Sequence, residues 1–411
     1  MWYPGSFGIA VALSSTLAIA GPIQKRSGFT IQQILKPRPV PRSPMEDYAV
    51  AVMKNDPLST DLLDIILNHE RSVNRTVPAV PEPFDYEYLS PVNVAGEILD
   101  IALDTGSSDF WVFSSQQSLA QRSAHQFYTP APGKLPLDGQ SWRVAYADRS
   151  SARGNVYIDT VSIADVVSPS QAIQAAQDVS EEFVTNPTTD GVLGLAFPSI
   201  NHVRPNKQLG FFDNVKDTLP KPVFAVALKK SRPGTFDFGF INNEKYVGNI
   251  TYTPVHNNGF WTITTTGTEC GNFIDNTPLK GILDTGSSFL LLPKQIVSNY
   301  YSQIPGARRI SSNDPRALLT GWIFPCEASI LPFTLIIENS YHATIPPEHV
   351  NQHPYYFDEG EPPMCFGGIQ ETFHEGMVVF GDVLFKSQYV VFDRGGTRVG
   401  FARQREEPVV E

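Results

Sequence analysis

At 411 residues the chain is longer than one typical domain, so two lobes with additional processing segments are expected. Hydrophobic residues make up 41% of the chain and charged residues 18%, which excludes an intrinsically disordered protein. The net charge of −11 argues against nucleic acid as a partner, because phosphate binding requires basic patches. Abundant aromatic, glycine and proline residues favour short strands and frequent turns, so the predicted fold is mostly β.

Residues 1–20 have the pattern of a secretory signal peptide. The apolar run FGIAVALSSTLAIAG ends in Ala18-Ile19-Ala20, which has the small-x-small form of a cleavage site. This run is too short and too rich in Ser and Thr for a membrane span, and the polar tail RQREEPVVE indicates no anchor. The sequence predicts a secreted protein without a membrane anchor, with retention in a vacuole as the alternative.

Residues 21–83 are predicted to form a propeptide, whose end lies at about residues 77–84. The stretch LKPRPVPRSP is basic and rich in proline, and apolar residues at helical spacing predict a short helix within residues 56–70. From about residue 84 the sequence changes to alternating, strand-like segments. A basic segment before an acidic domain suits a propeptide that covers an acidic cleft, and a flexible linker is the alternative.

The pentapeptide Asp-Thr-Gly-Ser-Ser occurs twice, at residues 104–108 and 284–288, each time between apolar segments. The first copy is followed after about ninety residues by TDGVLGLAF, and the second, at a similar distance, by MVVFGDVLF. This internal duplication has a period far too long for a solenoid repeat. It predicts two related β lobes, at residues 84–245 and 246–411.

The two aspartates of the repeated motif, Asp104 and Asp284, are the candidate catalytic residues. The glycine of each motif permits a tight turn at the end of a strand, and a pseudo-twofold axis would bring the two turns face to face. Two carboxylates about 3 Å apart cannot both ionise easily, so they share one proton. Such a pair supplies an acid and a base together at acid pH, without a metal or cofactor.

Together these motifs identify a family. The chain resembles the pepsin-like aspartic proteases, most closely the secreted fungal aspergillopepsin and penicillopepsin type, from Tyr86 to Arg403. The resemblance rests on LDTGSSDFWVF, TDGVLGLAF, GFFDN, ILDTGSSFLLLP, MCFGGIQ and VVFGDVLFKSQYVVFD. It implies a bilobal β fold with the active-site cleft between the lobes. It also implies a monomeric acid endopeptidase, made as a zymogen, that cleaves proteins and peptides beside large hydrophobic residues.

The resemblance also assigns roles to the residues that follow each aspartate. The threonines would tie the two loops together, the glycines would donate backbone N–H groups to the carboxylates, and the serines would bond their outer oxygens. These supporting residues are Thr105, Gly106, Ser107, Thr285, Gly286 and Ser287.

A flap over the cleft is expected at residues 141–151. The resemblance implies that the Trp111 ring nitrogen forms a hydrogen bond with the flap tyrosine, Tyr146. It also implies that Asp148 helps to accept a lysine before the scissile bond. For the rings of Trp111 and Tyr146, packing in the core is the alternative. Ala147 and Arg149 stand where relatives carry glycine. A positive φ at either position would cost on the order of 1 kcal/mol. Arg149 is expected to pair with substrate acids or with Asp148, which would weaken any preference for lysine.

The remaining candidates concern processing and covalent modification. Of three cysteines, Cys326 and Cys365 are favoured as a disulfide because both lie beside turn-forming sequence, although the sequence does not fix the pairing; Cys270 would be free. Asn249-Ile250-Thr251 is a glycosylation sequon. The resemblance makes Lys54 the candidate propeptide residue that pairs with the two aspartates.

The sequence holds no complete motif for another catalytic mechanism. Two His-Glu pairs lack the second histidine of a zinc motif, because Val73 and Val378 occupy its place, and no metal site is expected. The alternative from another class is a catalytically silent relative that only binds peptides or proteins. Such proteins usually lose part of one motif, whereas both motifs are intact here.

Overall fold

The computed structural model describes most of the chain after the predicted propeptide, together with one segment inside it. The described residues are 29–36, 85, 87–147, 149–310, 320–355, 363–372 and 376–405. The predicted signal peptide, Lys54 and Asp148 lie outside these residues, so their assignments remain predictions.

Strands predominate in the described part of the chain. They are β1 Phe29–Lys36, β2 Glu87–Val94, β3 Glu97–Asp104, β4 Phe110–Val112, β5 Ser141–Ala145, β6 Ser151–Ile163, β7 Val166–Val179, β8 Gly191–Gly194, β9 Val203–Arg204, β10 Val223–Lys229, β11 Arg232–Phe238, β12 Tyr246–Pro254, β13 His256–Asn257, β14 Trp261–Thr265, β15 Gly267–Cys270, β16 Phe273–Asp275, β17 Leu279–Leu283, β18 Leu290–Leu292, β19 Arg308–Ile310, β20 Gly321–Pro325, β21 Phe333–Ile337, β22 Tyr341–Ile345, β23 Asn351–Tyr355, β24 Met364–Gly367, β25 Ile369–Glu371, β26 Val378–Phe380, β27 Gln388–Asp393 and β28 Arg398–Gln404.

The described helices are short. They are α1 Leu119–Arg122, α2 Glu181–Val184, α3 Phe211–Val215, α4 Lys294–Tyr301, α5 Pro347–Val350 and α6 Asp382–Phe385, with 3-10 turns at Pro198–Ile200 and Lys216–Thr218. Among the residues that the structure describes, no helix combines the length and the apolar character that a membrane crossing requires.

The pattern of buried and exposed residues distinguishes strands that are covered on one face from strands that are covered on both. In β5, Trp142 and Val144 point inward and alternate with exposed residues, as expected for a strand covered on one face. The strands β10 and β27 are buried along almost their whole length, because other layers cover both of their faces. The largest sheet has the order β12-β28-β27-β10-β11-β1-β2-β3-β8-β4-β7-β6-β5-β9, and it runs through both halves of the chain.

The two halves repeat the same arrangement around the Asp-Thr-Gly motifs. In the first half, β3 leads into the motif and runs parallel to β8, while β4 leaves the motif and pairs antiparallel with β8. In the second half, β17 and β18 pair with β26 in the same two ways. The prediction of a mostly β fold with two related lobes is therefore confirmed, while the boundary after residue 245 remains a prediction.

The segment Phe29–Lys36 lies within the predicted propeptide, yet β1 occupies the middle of the large sheet. Five of its positions pair with β11 and three with β2, and both pairings are antiparallel. Because β1 lies between these two strands in the sheet order, it connects the part of the sheet that holds β10 and β11 with the part that holds β2 and β3.

Aromatic packing and an arginine–carboxylate ion pair contribute to the contact between the two halves. The rings of Phe224 and Phe392 stack with their centroids 4.6 Å apart. The guanidinium of Arg394 lies 3.7 Å from the centroid of the Phe197 ring. Its Nε donates to Asp213 Oδ1 at 3.1 Å, and a terminal nitrogen contacts the other oxygen of Asp213. This bidentate geometry is the strongest form of an arginine–carboxylate pair.

Candidate active site

Reciprocal hydrogen bonds connect the two Asp-Thr-Gly loops. The backbone N–H of Thr105 donates to Thr285 Oγ1 at 3.0 Å, and the N–H of Thr285 donates to Thr105 Oγ1 at 3.0 Å. Each hydroxyl then donates across to the opposite strand, Thr105 to the Leu283 carbonyl at 2.8 Å and Thr285 to the Leu103 carbonyl at 2.6 Å. Both threonines are buried, so all four bonds form away from water.

Each aspartate is oriented by its own loop in the same way. Asp104 Oδ1 accepts the Gly106 N–H at 2.7 Å, and its Oδ2 accepts the Ser107 hydroxyl at 2.5 Å. In the second loop, Asp284 accepts the corresponding N–H at 2.9 Å and the corresponding serine hydroxyl, that of Ser287, at 2.7 Å. These four bonds hold both carboxylates in matching orientations.

Each carboxylate occupies the space that a side chain on the glycine of the opposite loop would fill. A Cβ atom placed on Gly286 would be 2.7 Å from Asp104 Oδ1, and one placed on Gly106 would overlap Asp284 Oδ1. Glycine is therefore required at both positions for close approach as well as for the turn. The face-to-face arrangement expected from the duplication is present.

The surroundings of Asp104 favour its protonated form. Burial raises the pKa of Asp104 well above its ordinary value, and the charge of Asp284 raises it further. The hydrogen bonds from Ser107 and Gly106 act in the opposite direction and are outweighed. Asp104 is thus expected to keep its proton at a pH at which an isolated aspartate would be ionised.

Tyr146, the candidate flap tyrosine, is fixed to the strand that leaves the first Asp-Thr-Gly loop. Trp111 Nε1 donates to the hydroxyl of Tyr146 at 2.7 Å, as the resemblance implied. Phe183, in α2, packs edge-on against both rings, at centroid distances of 4.8 Å from Trp111 and 5.9 Å from Tyr146. The sequence did not single out Phe183, because its helix is only four residues long and shows no periodic pattern.

The turn at the tip of the flap is strained at Arg149. The Arg149 N–H donates to the Tyr146 carbonyl at 3.0 Å, and the Tyr146 N–H donates to the Ser150 carbonyl at 2.9 Å. Arg149 has a φ of 75°, in the left-handed region that favours glycine, whereas Ala147 does not. Of the two positions considered from the sequence, Arg149 alone carries the expected backbone strain.

A buried polar network supports the first Asp-Thr-Gly loop, and the sequence did not predict it. Asp109 is inaccessible to solvent and accepts hydrogen bonds from Gln174 Nε2 at 2.9 Å, Asn201 Nδ2 at 3.1 Å and the His202 N–H at 2.9 Å. The Gln174 side chain also accepts the Phe110 N–H at 3.3 Å. The network ties the start of β4 to the loop before β9. Its one sequence signal is the position of Asp109, directly after the Asp-Thr-Gly-Ser-Ser motif.

The structure also describes the cysteines and the sequon that the sequence singled out. Cys326 and Cys365, the pair favoured by the sequence, form a disulfide with Cα atoms 4.9 Å apart. Cys270 is a buried free cysteine, and burial raises the pKa of its thiol. Asn249 is exposed in β12, so its side chain is accessible for glycosylation.

Comparison with known proteins agrees with this geometry. The model of the eukaryotic aspartyl protease family matches residues 87–404. Aspergillopepsin-1 of Aspergillus fumigatus is 42% identical over 402 residues, which cover 96% of this chain and 98% of that protein. Penicillopepsin-3 of Penicillium janthinellum is 42% identical over 395 residues, 96% of each chain. Aspergillopepsin-1 of Aspergillus oryzae is 41% identical over 408 residues, with 96% and 98% covered. The chain therefore belongs to the eukaryotic aspartyl proteases, the pepsin-like family of aspartic endopeptidases.

Proposed function

We propose that this protease is a secreted, zymogen-activated acid endopeptidase in which Asp104 and Asp284 activate water. The observation that carries the proposal is the reciprocal loop geometry, in which buried threonine bonds hold each carboxylate against the glycine of the opposite loop. The raised pKa of Asp104 supports a shared proton at acid pH.

The reaction follows from a pair that holds one proton. The ionised carboxylate takes a proton from water, whose oxygen attacks the carbonyl carbon of the peptide bond. The protonated carboxyl bonds the carbonyl oxygen as negative charge develops there. When the C–N bond breaks, a proton passes to the leaving nitrogen, so water is added across the peptide bond. This chemistry needs no covalent intermediate.

The flap is assigned to substrate closure. Tyr146, held by Trp111, would lie over the bound peptide and exclude water, with Asp148 at the tip accepting a lysine before the scissile bond. Large hydrophobic residues on either side of that bond are the preferred substrate class. The extended cleft between the lobes would take several residues of a protein or peptide chain.

Processing and location complete the proposal. Residues 1–20 would direct secretion, and residues 21–83 would be removed on activation, with Lys54 pairing with the dyad at neutral pH. The pairing of β1 within the large sheet supports a propeptide that folds together with the enzyme. We assign a monomer that is glycosylated at Asn249.

Proteolysis by the purified precursor tests these assignments. The precursor is shifted from neutral pH through an acid series and incubated with a denatured protein substrate, beside its Asp104→Asn and Asp284→Asn variants. We expect the wild type to shorten itself and to cleave at acid pH, and both variants to stay inactive. A wild type that cleaves nothing at any pH, even after removal of the propeptide, would contradict the proposal and leave peptide binding as the function.

A further inference from the structure

The flap hairpin carries positive charge on a protein that is otherwise acidic. Residues 141–154 contain three arginines and one aspartate, whereas the whole chain has a net charge of −11. Trp142 and Val144 of this hairpin face inward, and Arg143 and Arg153 face solvent. The outer surface of the flap is therefore a local basic patch, formed by Arg143, Arg149 and Arg153.

Of the three arginines, Arg153 alone forms a salt bridge with a residue that the structure describes. Arg143 lies directly opposite Arg153 on the neighbouring strand, a placement that brings like charges together. Asp178 forms a salt bridge with Arg153, in which Arg153 Nε lies 3.0 Å from Asp178 Oδ2. Asp178 also interacts electrostatically with Arg143, although the two form no salt bridge. Arg149 is therefore the arginine of the patch whose charge no described residue compensates, and it can meet an external anion.

The position of Arg149 is unfavourable for folding. Its φ of 75° would be unstrained in glycine, and a side chain there costs on the order of 1 kcal/mol. The side chain is exposed, so no buried contact offsets this strain. The turn also begins at Tyr146, which is bonded to the strand leaving the first Asp-Thr-Gly loop. In the proposed function Tyr146 lies over the bound peptide, which puts the Arg149 charge beside the substrate.

From these observations, and resting on the proposed function, we propose that the basic patch selects substrates with acidic side chains near the scissile bond. Arg149 is the principal specificity residue and Arg143 a weaker contributor. The patch would bind the carboxylate of a substrate glutamate or aspartate, because that negative charge is opposite to the charge of the arginines. Exposed ion pairs of this kind change a rate by about 2- to 5-fold and are screened by salt.

Matched peptide substrates test this inference. Pairs of short peptides differ only by Glu or Gln at one position flanking the cleaved bond, and kcat/KM is measured for each member of a pair. At about pH 5.5 and low salt, the wild type should cleave the preferred Glu peptide about 2- to 5-fold faster than its Gln partner. The ratio should approach one at about pH 3, where glutamate is protonated, and in about 0.5 M salt.

Three substitutions at Arg149 separate charge from backbone strain. Arg149→Gln should abolish the Glu/Gln ratio, Arg149→Lys should keep most of it, and Arg149→Gly should abolish it as well as relieve the strain. Arg143→Gln should reduce it partly. The control is Lys221→Gln, which changes the charge by the same amount at an exposed residue just before β10. In the large sheet, eight strands lie between β10 and β5, so this residue is far from the flap.

The outcomes are distinguishable. Three results would show that the charge of Arg149 does not select substrates. The Glu/Gln ratio of kcat/KM could persist in Arg149→Gln, it could fall in Arg149→Gly alone, or it could be unaffected by salt. A wild-type enzyme that cleaves neither peptide at any pH would remove the proposed function itself, and this inference with it.

Discussion

The side chain of His349 is expected to make the folded protein less stable in acid. It lies in α5, and its Nδ1 atom is buried without a hydrogen-bond partner in the described part of the chain. Burial, followed by the charges of Lys386 and Lys230, lowers the pKa of His349 from 6.5 to about 3. Lys386 is itself buried and is held by Asp85, with Nζ and Oδ2 2.8 Å apart, so its charge stays close to the ring.

The sign and size of the effect follow from proton linkage. Because the folded pKa is below the unfolded one, the unfolded chain binds more protons between about pH 6.5 and pH 3, and stability falls as the pH drops through that range. At about 1.4 kcal/mol per pH unit, the loss between pH 6.5 and pH 4 is at most about 3.5 kcal/mol. His349→Gln, which cannot titrate, should therefore be more stable than the wild type at pH 4 and nearly equal to it at about pH 7.5.

Urea unfolding at the two pH values measures this difference. The precursor should carry Asp284→Asn in every sample, so that self-cleavage does not interfere. His256→Gln is the matched control, since His256 is exposed and its ring contacts Thr264. The reasoning is refuted if His349→Gln gains no stability over its parent at pH 4 relative to about pH 7.5, or if the control gains as much.

Three further substitutions test the geometry of the site. Gly106→Ala should fold but lose activity, because its Cβ would displace the Asp284 carboxylate, and a matched assay of unfolding and peptide cleavage separates the two effects. Thr285→Val leaves two buried partners unsatisfied and should lower the free energy of unfolding by about 2 to 5 kcal/mol, whereas Thr285→Ser should restore most of it; equal stability of the two would contradict the role of the hydroxyl. Trp111→Phe removes the donor to the flap tyrosine and should lower kcat/KM with little change in secondary structure, and unchanged kinetics would exclude a positioning role.

The sequence predicted the parts of the site that are encoded locally. Each aspartate, its glycine N–H and its serine hydroxyl lie within four consecutive residues, so one motif specifies their contacts. The same holds for the strain at Arg149, which depends on one turn. Duplication of the motif was enough to predict two lobes and the meeting of Asp104 with Asp284.

Contacts between distant segments could not be predicted in this way. The network around Asp109 unites residues 65 to 93 positions apart, and the Arg394–Asp213 ion pair spans 181 positions. Such contacts depend on strand register and on how layers pack, which leave no periodic trace in a single sequence. The placement of β1 in the centre of the sheet was missed for the same reason, since its neighbours begin near residues 87 and 232.

The crossed threonine bonds have a consequence for the chain during its synthesis. A ribosome completes the first loop well before the second, and until residues 283–286 emerge, Thr105 has neither its acceptor carbonyl nor its donor N–H. A nascent chain thus exposes Asp104 alone, without the geometry or the second carboxylate that the proposed chemistry requires. The paired geometry around Asp104 can therefore form only once translation has passed the second motif.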